Sequence, residues 1–203
     1  MTTLVVGHMM DTPQPQIFAG SPRGFGPNSG GILVIHVPGA PAAGHFSGEL
    51  RQNSVGIPGT DESGDRFGSS LAIGDIDRDG YGDLAVGAEG EDRRAGRVTV
   101  IYGAATGWRT SGNHIYDQDT PGVPWGTEER DRFGSSVTML DHNRDGRLDL
   151  AVGAQGENDN AGAITTLRGS GRGFTTTGSR TFGLTTLGYP YPGKAAFGAT
   201  LGR

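Results

Sequence analysis

The chain has no cysteine, which removes disulfides, zinc–thiolate sites and thiol nucleophiles together and leaves the redox compartment open. Apolar bulk is scarce: Leu, Ile, Val and Phe supply 40 of 203 residues, at the edge of the range in which chains fail to fold. No apolar run approaches the ~18 residues that a membrane span needs. Charge is modest too, 17 basic residues against 22 acidic for a net of −5, so the large charge excess of a disordered chain is missing. The basic residues are scattered and the balance is acidic, which speaks against a general nucleic-acid binder. Met1 to Met10 shows no basic segment followed by an apolar one, so no signal peptide is read there. No Asn-x-Ser/Thr acceptor occurs.

Glycine and proline are abundant, at 38 and 11 residues. Each interior glycine costs a helix ~1 kcal/mol relative to alanine, so helical bundles are disfavoured. Length admits one domain, or two at most.

The glycines recur in order. Asp65-Arg66-Phe67-Gly68-Ser69-Ser70 returns intact as Asp131-Arg132-Phe133-Gly134-Ser135-Ser136, 66 residues on. Of the 24 positions from Asp65 to Ala88, 16 are identical in Asp131 to Ala154. A degenerate third copy starts at Phe197-Gly198-Ala199-Thr200-Leu201. Near the N-terminus, Leu4-Val5-Val6-Gly7 matches Leu84-Ala85-Val86-Gly87 and Leu150-Ala151-Val152-Gly153. Gly31 to His36 matches Gly96 to Tyr102 and Gly162 to Leu167 in character. The Pro/Gly-rich stretch between Gly7 and Gly31 is read as a surface-loop insertion.

Each unit reads as four short strands, in the second at Phe67–Ile73, Asp83–Val86, Arg97–Tyr102 and, more weakly, His114–Tyr116. Clusters of Gly, Pro, Asp and Asn separate them, as in antiparallel meanders. The expected fold is all-β, built from four-stranded antiparallel propeller blades. Residues 1–203 form one region, with units at about 1–64 (partial), 65–130, 131–196 and the start of another at 197–203. Starting on a second strand and ending on a first, the chain is expected to be a partial propeller of about three blades in permuted phase. It would then be completed by remaining blades or by a second copy of the chain. Two tandem β-sandwiches are the competing reading.

Between first and second strands lies Asp75-Ile76-Asp77-Arg78-Asp79-Gly80-Tyr81-Gly82-Asp83, and in the next unit Asp141-His142-Asn143-Arg144-Asp145-Gly146-Arg147-Leu148-Asp149. Oxygen side chains stand at positions 1, 3, 5 and 9, the carbonyl of Tyr81 or Arg147 adds a ligand, and glycine at 6 permits the turn. So many carboxylates in nine residues repel one another without a cation. All-oxygen ligation selects Ca²⁺, since Mg²⁺ keeps its waters. The expected metal ligands are therefore Asp75, Asp77, Asp79, Tyr81, Asp83, Asp141, Asn143, Asp145, Arg147 and Asp149. Position 12 is Val86 or Val152, where an EF-hand needs a bidentate glutamate. A solvated acidic turn is the bland alternative. With four carboxylates against three, the first loop is expected to bind calcium more tightly.

Phe-Gly, then the Asp-rich loop, then Asp-Leu-Ala-Val-Gly-Ala resembles the FG-GAP repeat of integrin α-subunit N-terminal β-propellers and their bacterial relatives. The resemblance covers Asp65–Tyr102 and Asp131–Leu167, and weakly the two chain ends. It implies a propeller with calcium loops on one face, serving in adhesion and ligand recognition. Two departures stand out: the proline of the Gly-Ala-Pro segment is Glu89 in one unit and Gln155 in the other, and three units fall short of the family's usual seven blades.

The remaining signals read as structure. Phe67, Phe133 and Phe197 are expected to pack between blades, and Trp108 and Trp125 to pack rather than to form a ligand platform. His8, His36, His45, His114 and His142 show no metal spacing, with His142 pointing outward from its loop. Gly169-Ser170-Gly171-Arg172-Gly173 is a turn without the helix a phosphate cradle requires. No hydrolase elbow or zinc-protease motif occurs. The leading functional expectation is a non-catalytic, calcium-binding module for recognition of a protein or glycan outside the cell. The alternative is the accessory propeller of a larger secreted hydrolase; an independent propeller-face enzyme ranks third. Loops of this kind bind calcium at roughly 10⁻⁴–10⁻³ M, a range suited to extracellular calcium.

Overall fold

The computed structural model describes residues 3–24, 29–36, 48–190 and 193–202; His45 and Arg203 lie outside them. Three four-stranded antiparallel sheets follow one another along the chain. The first contains β1 (Thr3–Gly7), β2 (Gln16–Gly20), β3 (Ile32–His36) and β4 (Gly48–Leu50), paired in that order. The second contains β5 (Phe67–Gly74), β6 (Asp83–Ala88), β7 (Arg97–Ile101) and, beyond the small hairpin β8 (Gly103–Ala104)–β9 (Gly107–Trp108), β10 (His114–Tyr116). The third contains β11 (Phe133–Leu140), β12 (Asp149–Ala154), β13 (Ala163–Gly169) and β14 (Phe174–Gly183). These are propeller blades, and Phe197 bridges to Gly162 as Phe67 does to Gly30 and Phe133 to Gly96.

The N-terminal phase differs from the sequence expectation. Thr3–Gly7 is a first strand, not a second, and the stretch read as an insertion contains β2, which pairs Leu4 with Ala19 and Val6 with Ile17. Strands β1 to β4 thus form a whole four-stranded blade. Leu-Val-Val-Gly fits a first strand ending Leu71-Ala72-Ile73-Gly74 as well as it fits Leu84-Ala85-Val86-Gly87, so composition alone could not choose.

Two apolar layers hold the blades together. Val5, Phe18, Ile32 and Val34 meet Phe67, Leu71, Leu84, Val86 and Ile101 between the first and second sheets. Ala72, Ala85, Val98 and Val100 meet Phe133, Val137, Leu150, Val152 and Leu167 between the second and third. Phe67 and Phe133 are fully buried there, while Phe197 is half-buried. Trp108 packs at the edge of the first layer. Trp125 packs over Gly183 and borders an open cavity of about 470 Å³ with Glu128, Glu157 and Asn158.

Polar contacts explain the recurring Phe-Gly-Ser-Ser. Ser69 donates to the Gly87 carbonyl of its own blade (3.0 Å), whereas Ser70 donates across to Gly134 of the next (2.7 Å). Ser135 and Ser136 repeat both contacts, to Gly153 (3.1 Å) and Gly198 (2.6 Å). At the same end of the blades, the segments joining β6 to β7 and β12 to β13 contain left-handed turns. Asp92, Arg93 and Arg94 have φ of 47°, 59° and 71°, and Asn158, Asp159 and Asn160 have 51°, 59° and 69°. Left-handed backbone costs ~1–2 kcal/mol per residue. It persists because it aims carbonyls at the next blade: Arg94 accepts from Arg132 N (2.8 Å) and Asn160 from Ala196 N (2.8 Å).

Candidate metal centre

The Asp-rich loops lie at the opposite end, where first strands turn into second strands. In the first loop, Asp75 accepts from the amides of Asp79 (3.1 Å) and Gly80 (3.0 Å), and Asp79 accepts from Tyr81 N (2.9 Å). Those bonds wind the loop so that Asp75, Asp77 and Asp83 offer oxygens within 4.8 Å of one another. Asp83 is fully buried and clamps two neighbours, accepting from Ile76 N (2.7 Å) and Gly103 N (2.9 Å). Burial pushes its carboxyl up to about 7; the two backbone donors oppose that, and the nearby Asp77 and Asp79 reinforce it.

Donor chemistry fits a divalent cation. Asp77 Oδ1 is buried without a hydrogen-bond partner, an oxygen that a hard cation in the cluster would satisfy. Asp75, Asp77, Asp79 and Asp83 would hold the ion by side chain. The amides of Tyr81 and Arg147 bond Asp79 and Asp145; their carbonyls are the backbone ligands that the sequence leads one to expect.

The second loop has the same winding. Asp141 accepts from Asp145 N (3.1 Å) and Gly146 N (2.8 Å), and Asp149 accepts from His142 N (3.1 Å) and Gly169 N (2.9 Å). Asn143 bonds Asp145 by its amide (3.0 Å) instead of adding a carboxylate. Among the described residues, the only triad of His, Cys, Asp or Glu ligand atoms gathered this tightly is the one in the first loop. The His142 ring is not directed away from its loop as expected: Nδ1 lies 3.7 Å from Asp149 Oδ2. Ser170 N bonds Gly173 O (2.8 Å), so the glycine-rich stretch after β13 is the expected turn.

The first blade carries a third copy of the loop, which the sequence does not mark by carboxylates. His8 to Gln16 is also nine residues, joins β1 to β2, and repeats the clamp with Met9 N donating to Gln16 Oε1 (2.9 Å). Its ligand positions are spent, however: His8, Met10 and Thr12 stand where Asp75, Asp77 and Asp79 stand. Met9 is fully buried, and Gln16 turns an N–H toward the Gln14 carbonyl (2.9 Å). The first blade therefore keeps the loop and drops the cage. The equal spacing, Gly7 to Gln16 against Gly74 to Asp83, is the signal that would have found it.

Arg109, which follows β9, is the other residue that the sequence did not flag. Its Nη2 lies 2.7 Å from Asp77 Oδ2 and 2.6 Å from Asp79 Oδ2, and its guanidinium stands 5.2 Å from the Tyr102 ring centre.

Comparison with known proteins places these repeats. The FG-GAP repeat family matches residues 67–101 and 133–167. Over 93 residues, 44% of this chain and 11% of the relative, the chain is 42% identical to phosphatidylinositol-glycan-specific phospholipase D of Rattus norvegicus. It is 38% identical to integrin alpha-X of Mus musculus over 115 residues, 54% of this chain and 9% of the relative. With integrin alpha-8 of Mus musculus it shares 29% identity over 182 residues, 85% of this chain and 15% of the relative. The chain thus spans a small part of the curated relatives it matches. The two stretches that match the FG-GAP repeat family thus fall in successive blades, each carrying the Phe-Gly start and the Asp-rich loop.

Proposed function

We propose that this chain is a non-catalytic, calcium-stabilised propeller module for recognition of a protein or glycan outside the cell. The observation that carries the reading is the Asp75, Asp77 and Asp83 cluster with its buried, unpartnered Asp77 oxygen. Its likeness to integrin α subunits supports the recognition role. With a Kd near ~0.1 mM and ~2 mM calcium, one site contributes about 1.8 kcal/mol to folding. Thermal melts in calcium and in chelator should therefore differ by about 5 °C. Coincident midpoints would defeat the reading.

A second reading rests on a different observation, the 42% identity to a phospholipase D. Here the blades are the accessory propeller of a larger secreted hydrolase. A catalytic domain encoded in the same reading frame selects this version, and a frame that holds only further repeats selects the first.

Partners follow from the free face of the first sheet. Leu4, Val6 and Leu33 are 59%, 46% and 37% exposed. They align across the strands with Ile17, Ala19 and Ile35. Their counterparts in the second blade, Leu71, Ile73 and Thr99, are turned toward the first blade or buried. The face is shaped for another blade of the same kind, whether a further FG-GAP unit or a second copy. Light scattering should show association of the isolated chain, and Leu4→Glu should abolish it; a monomer at high concentration would remove this part of the proposal.

A further inference from the structure

The first loop meets a cation delivered by the neighbouring hairpin β8–β9. We propose that Arg109 is a tethered competitor for calcium at Asp77 and Asp79, so that the number of carboxylates does not set the affinity order of the two loops. This inference rests on the calcium reading above and concerns how that site is tuned.

Geometry carries the argument. One guanidinium nitrogen contacts both Asp77 and Asp79, at 2.7 and 2.6 Å, and those are two of the four carboxylates that would ligate the ion. Arg109 is held in place independently of them. Its backbone N–H donates to the Tyr102 carbonyl (2.8 Å), and its own carbonyl accepts from Asn113 Nδ2 (2.8 Å). With its backbone anchored and its guanidinium against the Tyr102 ring, Arg109 stays beside the loop when the carboxylates turn toward an ion. A divalent cation entering the cluster must take Asp77 and Asp79 from this partner and tolerate a positive charge a few ångströms away. Both effects weaken binding, and the pairing of arginine with ligand carboxylates occurs at the first loop alone. The hairpin Gly169 to Thr175 repeats Gly103 to Arg109 position by position, with Gly169 bonding Asp149 as Gly103 bonds Asp83. It puts Thr175 where Arg109 stands. Among the described residues no arginine lies within ion-pair distance of Asp141, Asp145 or Asp149. Arg78 of the first loop reaches the second loop at the Gly146 carbonyl, which is not a carboxylate.

Competition differs from a structural role in the sign of its effects. Without calcium, Arg109 relieves repulsion among Asp75, Asp77 and Asp79, so its loss destabilises the fold. With calcium, the ion supplies that positive charge, and the loss of Arg109 strengthens binding. A residue that served only to brace the hairpin would lower stability equally in both conditions.

Calcium titration calorimetry and thermal melts test this in an Asp141→Asn/Asp145→Asn background that silences the second loop. Arg109→Gln should raise calcium affinity roughly tenfold, as expected for removing one nearby, partly exposed positive charge. The calcium-induced rise in melting midpoint should grow as well. Arg109→Lys, which keeps the charge, should stay within about threefold of the parent. Unchanged or weaker binding in a folded Arg109→Gln protein overturns the inference and leaves the calcium reading intact. Absence of calcium binding in parent and variant alike overturns both.

Discussion

Gly87→Ala is expected to be among the most damaging single-methyl additions in the chain, lowering stability by more than about 3 kcal/mol. A Cβ at Gly87 would lie 2.0 Å from the Gly134 carbonyl oxygen and 2.2 Å from Ser70 Oγ. Neither neighbour is free to retreat. Gly134 belongs to the first strand of the next blade, and its carbonyl accepts the Ser70 hydroxyl at 2.7 Å. Moving either one separates the second and third blades, and with them the layer in which Phe133, Val98 and Leu150 are fully buried. Gly20 and Gly153 occupy the same place in their blades, with hypothetical Cβ atoms 2.2 Å from Gly68 O and 2.0 Å from Gly198 O. Gly80→Ala is the control: a Cβ there meets nothing within 4 Å, although its φ of +92° keeps some strain. Chemical denaturation of Gly87→Ala and Gly80→Ala beside the parent checks the ranking. A Gly87→Ala protein within 1 kcal/mol of the parent would show that the blades slide past the added methyl.

These contacts show where sequence reading succeeds and where it stops. The 66-residue offset and the strand–loop–strand rhythm are written in residue identity, so the blades and both Asp-rich loops were legible. The first blade was not, because its loop kept the length and lost the carboxylates: Met10 and Gln16 replace Asp77 and Asp83. With that marker gone, Leu4 to Gly7 could be aligned with either of two apolar strands ending in glycine. The left-handed turns were hidden for another reason. Glu91-Asp92-Arg93-Arg94 has the local character of a helical or solvated segment; its left-handed residues are held by folded-state bonds, Gly96 N to the Glu91 carbonyl within the turn and Arg132 N to the Arg94 carbonyl from the next blade. Arg109 was equally invisible, since a residue thirty positions from Asp79 meets it only once the hairpin β8–β9 has folded back.

In chelator, stability is expected to fall as pH rises from about 4.5 to 7. Buried Asp83 contributes to the fall, and the larger part of the cause lies between the blades, at the end opposite the loops. Glu91 and Asp131 are 4% and 2% exposed, and burial pushes both carboxyls up to about 7. For Glu91 the nearby Arg97 and the Gln52 amide oppose the shift and Asp65 adds to it; for Asp131 the Glu128 amide opposes and Glu157 adds. Asp65 and Glu157, at the matching places of the two units, are raised for the same reason. A raised carboxyl keeps its proton in the folded state after the unfolded chain has lost it. Its stabilising contribution is thus complete below about pH 4, the unfolded value, and is lost as pH climbs through 7. Glu91 and Asp131 account for at least roughly 2 kcal/mol each. Gln52 adds a structural reason for protonation: its Nε2 donates to Glu91, while its Oε1 is buried without a partner. A protonated Glu91 brings a hydroxyl donor to that amide, and Glu91→Gln brings an N–H. The melting midpoint at pH 5 should therefore exceed that at pH 8 by several degrees, and Glu91→Gln with Asp131→Asn should flatten the slope. A midpoint that rises between pH 5 and 7 would mean that these carboxyls are ionised inside the fold, with the left-handed turns beside them open to water.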